Sequence, residues 1–343
     1  MIGGRVATIA EFPWLAYIAV KGQDGAFACT GAVVAPRVVL TAGHCIEKER
    51  ELAAYSPSRF RVITGTADVG RATAANLSTV SRAVFYPTFE TARVQIDAGL
   101  LILSAPVAAP PLAIADRADA ALLRPGTPIS IAGWGVTGAR AKAGPAVMRS
   151  GEMALRSQAA CRRETRVFDS FYSTRGQLCA RDTRRGAVSG CFGDSGGPAI
   201  ARRADGTPVA IGIVAAGEPN CGPRLPTIYT DAAKISGWLS GWIATAERGA
   251  PDPPVPTASP PRLGFEHARE LGAVALRKLV GNRFRQGVER RVRCTRRGWA
   301  SVKCRASWRN GARRYDGSFT ISLEAEGYAI AVRESVRVSA RAA

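Results

Sequence analysis

The chain has 343 residues, 46% of them hydrophobic, which is enough for two or three domains with packed cores. No apolar run reaches about 18 residues, so the pattern excludes a helical membrane span. The net charge of +20 invites a polyanionic partner, but six lysines among 47 basic residues, with abundant Ala, Gly and Pro, is first of all the mark of a GC-rich codon supply.

Met1 is followed at once by Ile2-Gly3-Gly4, with no charged region ahead of an apolar one, so no secretory leader is read here. Phe12-Pro13-Trp14 comes next. To about residue 247, short apolar runs broken by Gly, Pro and Asn predict strands, among them Ala32 to Val34, Val38 to Leu40, Phe60 to Ile63 and Ile129 to Ile131. This patterning predicts an all-β unit. Thr41-Ala-Gly-His44-Cys45 carries one of the two histidines, and Asp97 leads the apolar run Leu100 to Leu103. Ala132-Gly133-Trp134-Gly135 precedes Cys191-Phe-Gly193-Asp194-Ser195-Gly196-Gly197-Pro198. A serine boxed by glycines suits a nucleophile, because the bare backbone lets the Gly193 and Ser195 N–H groups converge on one point. It needs a base oriented by a third group, and the chain order His, Asp, Ser is one known solution. Ile228-Tyr229 follows. Ile235, Trp238, Leu239, Trp242 and Ile243 then recur with a helical period that closes the unit.

These landmarks in register resemble the chymotrypsin/trypsin-like serine proteases over about residues 1 to 246. The resemblance implies two six-stranded antiparallel β-barrels with the active site in the cleft between them. It implies catalysis by His44, Asp97 and Ser195, with an oxyanion hole of Gly193 and Ser195. It also implies the bridges Cys29–Cys45, Cys161–Cys179 and Cys191–Cys221, which leaves Cys294 and Cys304 to pair in the tail. Eight cysteines in four bridges belong in an oxidising compartment, so a secreted protein is expected, its leader lying upstream of Met1. In the family a liberated amino terminus pairs with the aspartate before the serine. That pairing falls here on Met1 and Asp194 and implies a zymogen.

The same resemblance places Ser189 at the floor of the substrate pocket, where an aspartate would select Arg or Lys. Gly190 and Gly217 leave the walls open, while branched Thr227 shortens the slot. Cleavage after small or medium apolar residues is therefore expected. Two departures stand out. Ala215 lacks a hydroxyl that supports the triad aspartate in relatives, and Ala216 lacks an aromatic wall. The loop that binds calcium in some relatives has Asp68 alone between residues 60 and 85, so no metal or other cofactor is expected.

Pro251 to Pro261 holds six prolines and reads as an extended spacer within a linker of residues 248–261. Beyond it, residues 262–343 predict a small α+β domain. Phe265, Leu271, Ala275 and Leu279 mark a helix, and Val302 to Trp308, Phe319 to Leu323 and Tyr328 to Val332 alternate as strands. His267 has no companion ligand. Cys294 and Cys304 would staple two strands across a turn near Arg297-Gly298. This domain has 19 basic against seven acidic residues, which concentrates +12 of the charge. An anionic cell-surface polymer is the expected partner beside a protein or peptide substrate, with no sequence-specific nucleic acid, in a monomer. The rival reading is a latent protease homologue that binds a surface or polymer through the basic domain.

Overall fold

The computed structural model describes residues 1–22, 25–47, 54–86, 96–138, 140–141, 143–165, 172–174, 176–182, 187–218, 220–248, 268–269, 272, 276, 288–298, 301–326 and 329–342. These fall into two units, one up to residue 248 and one from residue 268. The Pro-rich spacer, Phe265, His267, Leu271, Ala275, Leu279 and Tyr328 lie outside the described residues.

The first unit holds two antiparallel barrels. In one, the strands run in the order Leu77–Ser78, Phe60–Thr64, Leu15–Lys21, Ala26–Ala35, Val38–Thr41, Gly99–Leu103, Val80–Phe85. Its two end strands are separated in sequence by Thr79 alone, so the sheet curls almost shut and counts as six strands if that kinked pair is taken as one. All residues of Val38–Thr41 and Gly99–Leu103 are buried, as central strands covered on both faces require.

The other barrel closes fully. Arg149–Leu155, Pro128–Gly133, Pro198–Arg202, Pro208–Ala216, Thr227–Asp231 and Gln177–Arg181 follow one another, and Arg181 pairs back onto Ala154. Ile129, Ile131, Met153, Leu155, Ile211 and Tyr229 fill it. The helix Ser236–Arg248 buries Trp238, Leu239 and Trp242. Tyr86 meets Trp238 edge-on at 5.3 Å, and the Arg82 guanidinium lies 4.6 Å above Trp242. The helix thus ties a strand of the nearly closed barrel to the end of the other.

In the second unit Val288–Gly298, Ser301–Asn310, Arg313–Glu326 and Ala329–Ala342 form an antiparallel meander. One face buries Val302, Cys304, Ala306, Trp308, Phe319 and Ile321 together with the helical residues Ala268 and Leu276. The period-two alternation read from the sequence does separate a core face from a solvent face at Val302 to Trp308, Phe319 and Ile321, while the side chains of Leu323, Ile330 and Val332 lie outside the described residues. Helical Gly272 lies so close to the sheet that a Cβ there would sit 1.9 Å from the Phe319 ring. Cys294 and Cys304 are directly opposed and bridged.

Candidate active site

The strand Val38–Thr41 runs into a tight turn, Gly43–Cys45, that carries His44. Its neighbour pairs Thr41 with Gly99 and Leu40 with Leu100. That register brings Asp97, two residues ahead of the pairing, beside the histidine three residues beyond it. Gly99 permits the approach, since a Cβ there would be 2.4 Å from Ile46. Asp97 is fully buried, and its carboxylate accepts from His44 N–H at 2.9 Å and pairs with His44 Nδ1 at 2.6 Å.

Burial of the imidazole pulls its pKa down. The Asp97 charge and hydrogen bond, with the charge of Glu47, outweigh that, so His44 titrates above the ordinary 6.5. The His44 side chain stays 33% exposed, and among the described residues neither its Nε2 nor Ser195 Oγ has a hydrogen-bond partner.

Ser195 rides on the fully closed barrel but is seated against the other one. Its carbonyl accepts from Thr30 N–H at 2.9 Å and lies 3.8 Å from Cys45 Sγ, next to His44. Thr30 Oγ1 donates to the Gly193 carbonyl, and Thr41 Oγ1 donates to the Thr30 carbonyl, both at 2.8 Å. Gly196 has φ +82°, and a Cβ there would meet Thr41 Oγ1 at 2.0 Å. Gly193 has φ +98°. Among the described residues the N–H groups of Gly193 and Ser195 donate to no protein acceptor.

Asp194 is buried. Its carboxylate accepts from Gly135 N–H at 2.9 Å and Cys191 N–H at 3.0 Å, and it pairs with the Met1 α-amino group at 2.9 Å. That amino group also donates to the Gly135 carbonyl at 2.7 Å. The glycines of Ala132-Gly133-Trp134-Gly135 make room for the carboxylate, since a Cβ on either would come within 2.6 Å of it. Ile2 exchanges two backbone hydrogen bonds with Ser189, at 3.0 and 3.3 Å. The amino-terminal segment is thus joined directly to the Ser189 backbone.

Ser189 is buried and donates its hydroxyl to the Cys221 carbonyl at 2.6 Å. Thr227 Oγ1 accepts from Gly190 N–H at 3.2 Å, and a Cβ on Gly190 would be 3.3 Å from the Thr227 methyl. A Cβ on Gly217 would have the Gly190 carbonyl at 3.8 Å as its one neighbour. Thr227 therefore lies against Gly190, which neighbours Ser189 in the chain, and Gly217 comes near the Gly190 carbonyl.

The bridges are Cys29–Cys45, Cys161–Cys179, Cys191–Cys221 and Cys294–Cys304. Cys29, His44 and Cys45 form the one cluster of metal-ligand type among the described residues, but both sulfurs are already in a bridge. Asp68 accepts from Gly70 N–H at 2.9 Å and faces Arg71 at 3.4 Å.

Sequence reasoning assigned no role to Thr30, Thr41 or Thr230. The Thr230 hydroxyl accepts from Asp97 N–H and donates to Asp97 C=O, both at 2.9 Å in a fully buried setting. It holds the backbone of the aspartate whose usual hydroxyl support is absent at Ala215. Thr230 directly follows Ile228-Tyr229, the only local signal that could have pointed to it.

The family model for Trypsin matches residues 1–239. A protein named trypsin from Saccharopolyspora erythraea is 28% identical over 73% of this chain and its own full length. Human cathepsin G is 31% identical over 72% of this chain and 88% of its own, and hypodermin-B from Hypoderma lineatum is 26% identical over 70% and 86%.

Proposed function

The chain belongs to the trypsin family of serine endopeptidases, and on that premise we propose that it hydrolyses peptide bonds with Ser195 as nucleophile, His44 as general base and Asp97 as orienting group. One observation carries the reading. The buried Asp97 carboxylate holds His44 Nδ1 at 2.6 Å, and the Ser195 carbonyl lies 3.8 Å from Sγ of Cys45, the residue next to His44. With Nδ1–H fixed as a donor, Nε2 is the basic nitrogen and takes the Ser195 proton as Oγ attacks the scissile carbonyl. Asp97 stabilises the imidazolium that forms. The Gly193 and Ser195 N–H groups receive the oxyanion, each such donor contributing roughly 2.7–4 kcal/mol. The imidazolium proton then passes to the leaving amine, and water repeats the sequence on the acyl-enzyme.

None of Ser189, Gly190, Gly217 and Thr227 carries a charge to meet Arg or Lys, and the branched Thr227 side chain lies against Gly190 and shortens the slot they form. Cleavage after small or medium apolar residues follows. Buried pairing of the Met1 amino group with Asp194 supports activation by an ion pair, as expected of a zymogen family. Four bridges support an extracellular setting. No helix among the described residues is long and apolar enough to cross a membrane. We assign residues 1–247 to the protease, 248–261 to a linker and 262–343 to a basic domain that takes an anionic polymer.

A fluorophosphonate probe tests the central claim. It should label the full chain at Ser195 and fail on Ser195→Ala and, severely, on His44→Ala. A folded protein that hydrolyses no peptide and takes no label would refute the mechanism in favour of a latent homologue.

A further inference from the structure

We propose that the solvent face of the four-stranded sheet in the C-terminal unit docks a flexible linear phosphodiester polymer, held by Arg291, Arg293, Arg305, Arg314 and Arg337. This rests on the reading that the basic domain takes an anionic partner, and it narrows that reading to one face and one chemistry.

Alternation along the strands sends Val302, Cys304, Ala306 and Trp308 into the core, so the intervening side chains share the opposite face. There the five arginines are exposed and line a shallow depression with Ser307, Ser318 and Ser339. Asp316 is the one carboxylate lining it, and among the described residues none of the five arginines has an ion-pair partner.

The register makes the arrangement unfavourable for the sheet by itself. Arg293 lies directly opposite Arg305, Arg305 opposite Ser318, and Ser318 opposite Arg337. Like charges directly opposed on neighbouring strands are destabilising. The adjacent pair is the bridged Cys294 and Cys304, which prevents the two strands from slipping out of this register. A fold that fixes opposed guanidinium groups in place is complementary to an anion lying across them.

The chemistry of the face selects the polymer. Guanidinium forks match the paired oxygens of a phosphate, and the Ser307 and Ser318 hydroxyls can donate to those that remain. No aromatic side chain lines the depression, so neither a base nor a sugar ring has a stacking platform. Positive charges recur about 5–7 Å apart, across strands and along them. A flexible chain can follow such rows, whereas a rigid duplex would touch a flat face along a single ridge.

The test uses full-length Ser195→Ala protein, which cannot digest itself, and poly(glycerol phosphate) as probe. Affinity is measured from about 50 to about 500 mM salt, where five phosphate contacts predict a log–log slope of about −3.5. The double variant Arg293→Gln/Arg305→Gln should bind at least tenfold more weakly, with the slope flattened by about 1.4. Its melting temperature should be unchanged or higher, because a repulsion has been removed. Arg202→Gln, in the protease unit, should bind like the parent. The proposal is overturned if the double variant binds as tightly and as steeply as the parent, or if heparin or short duplex DNA binds more tightly than poly(glycerol phosphate). Failure to bind any of the three polyanions would also overturn the underlying anionic-partner reading.

Discussion

Replacing Thr230 by valine isolates what the hydroxyl behind Asp97 does, because valine keeps the volume and removes only the polar atom. In the native protein that oxygen accepts from Asp97 N–H and donates to Asp97 C=O at 2.9 Å, with both residues fully buried. The variant leaves a buried donor and a buried acceptor without that partner. Each such group costs about 1–3 kcal/mol, so a loss of about 2–6 kcal/mol is expected. Thr230→Ser retains the hydroxyl and removes one methyl, for about 1 kcal/mol. Because the Asp97 carboxylate aims His44, relaxation of its backbone should also lower kcat/KM by about 10²-fold in the valine variant, and far less in the serine variant. Urea unfolding of both variants, read beside hydrolysis of a short apolar peptide, gives the two quantities. If Thr230→Val unfolds within about 0.5 kcal/mol of the parent and cleaves as fast, the hydroxyl does not hold the aspartate and the reasoning fails.

Other expectations follow from the same geometry. With neutral His44 as the proposed general base, kcat/KM should fall as pH drops through a pKa above 6.5, the direction set by Asp97 and Glu47. Asp97→Asn removes the charge that raises it and leaves the burial that lowers it. The acid limb of the pH–rate profile should therefore move to lower pH while kcat drops by about 10⁴; an unmoved limb would contradict the assignment. Ser189→Asp should raise the rate after Arg and Lys only in part, because Thr227 still fills the slot against Gly190. A peptide-library profile of the parent that already favours Arg or Lys would overturn the pocket reading. Gly272→Ala should destabilise the C-terminal unit by about 1–3 kcal/mol, since the new Cβ would collide with the Phe319 ring at 1.9 Å. Peptide hydrolysis should be unaffected, and an unchanged melting profile would show that the helix can shift at no cost.

What could be read from residues alone was whatever chemistry demands by residue type. A serine between glycines, one histidine in a tight box and an acid leading an apolar strand are specified locally, and so are the alternating strands of the tail. Val302, Cys304, Ala306 and Trp308 were legible as one face because side chains alternate along a strand whatever it pairs with. The helix that covers them was legible only as a tendency. The described positions that enter the core are Ala268 and Leu276, with Gly272 against Phe319, and two small residues among three carry little hydrophobic signal.

The rest was decided by pairing across long stretches of chain. Thr230 and Asp97 are 133 residues apart, Thr30 and Gly193 are 163 apart, and a threonine hydroxyl carries no mark of the backbone group it will meet. The same holds for Arg293 and Arg305. Their charge was visible as composition, but their direct opposition follows from a register one residue from a bridged cysteine pair. Residue identity supplied the reactive atoms, and strand register supplied the distances between them. Local pattern fixes which way a side chain points, whereas its partner depends on contacts formed only when the barrels and the sheet close.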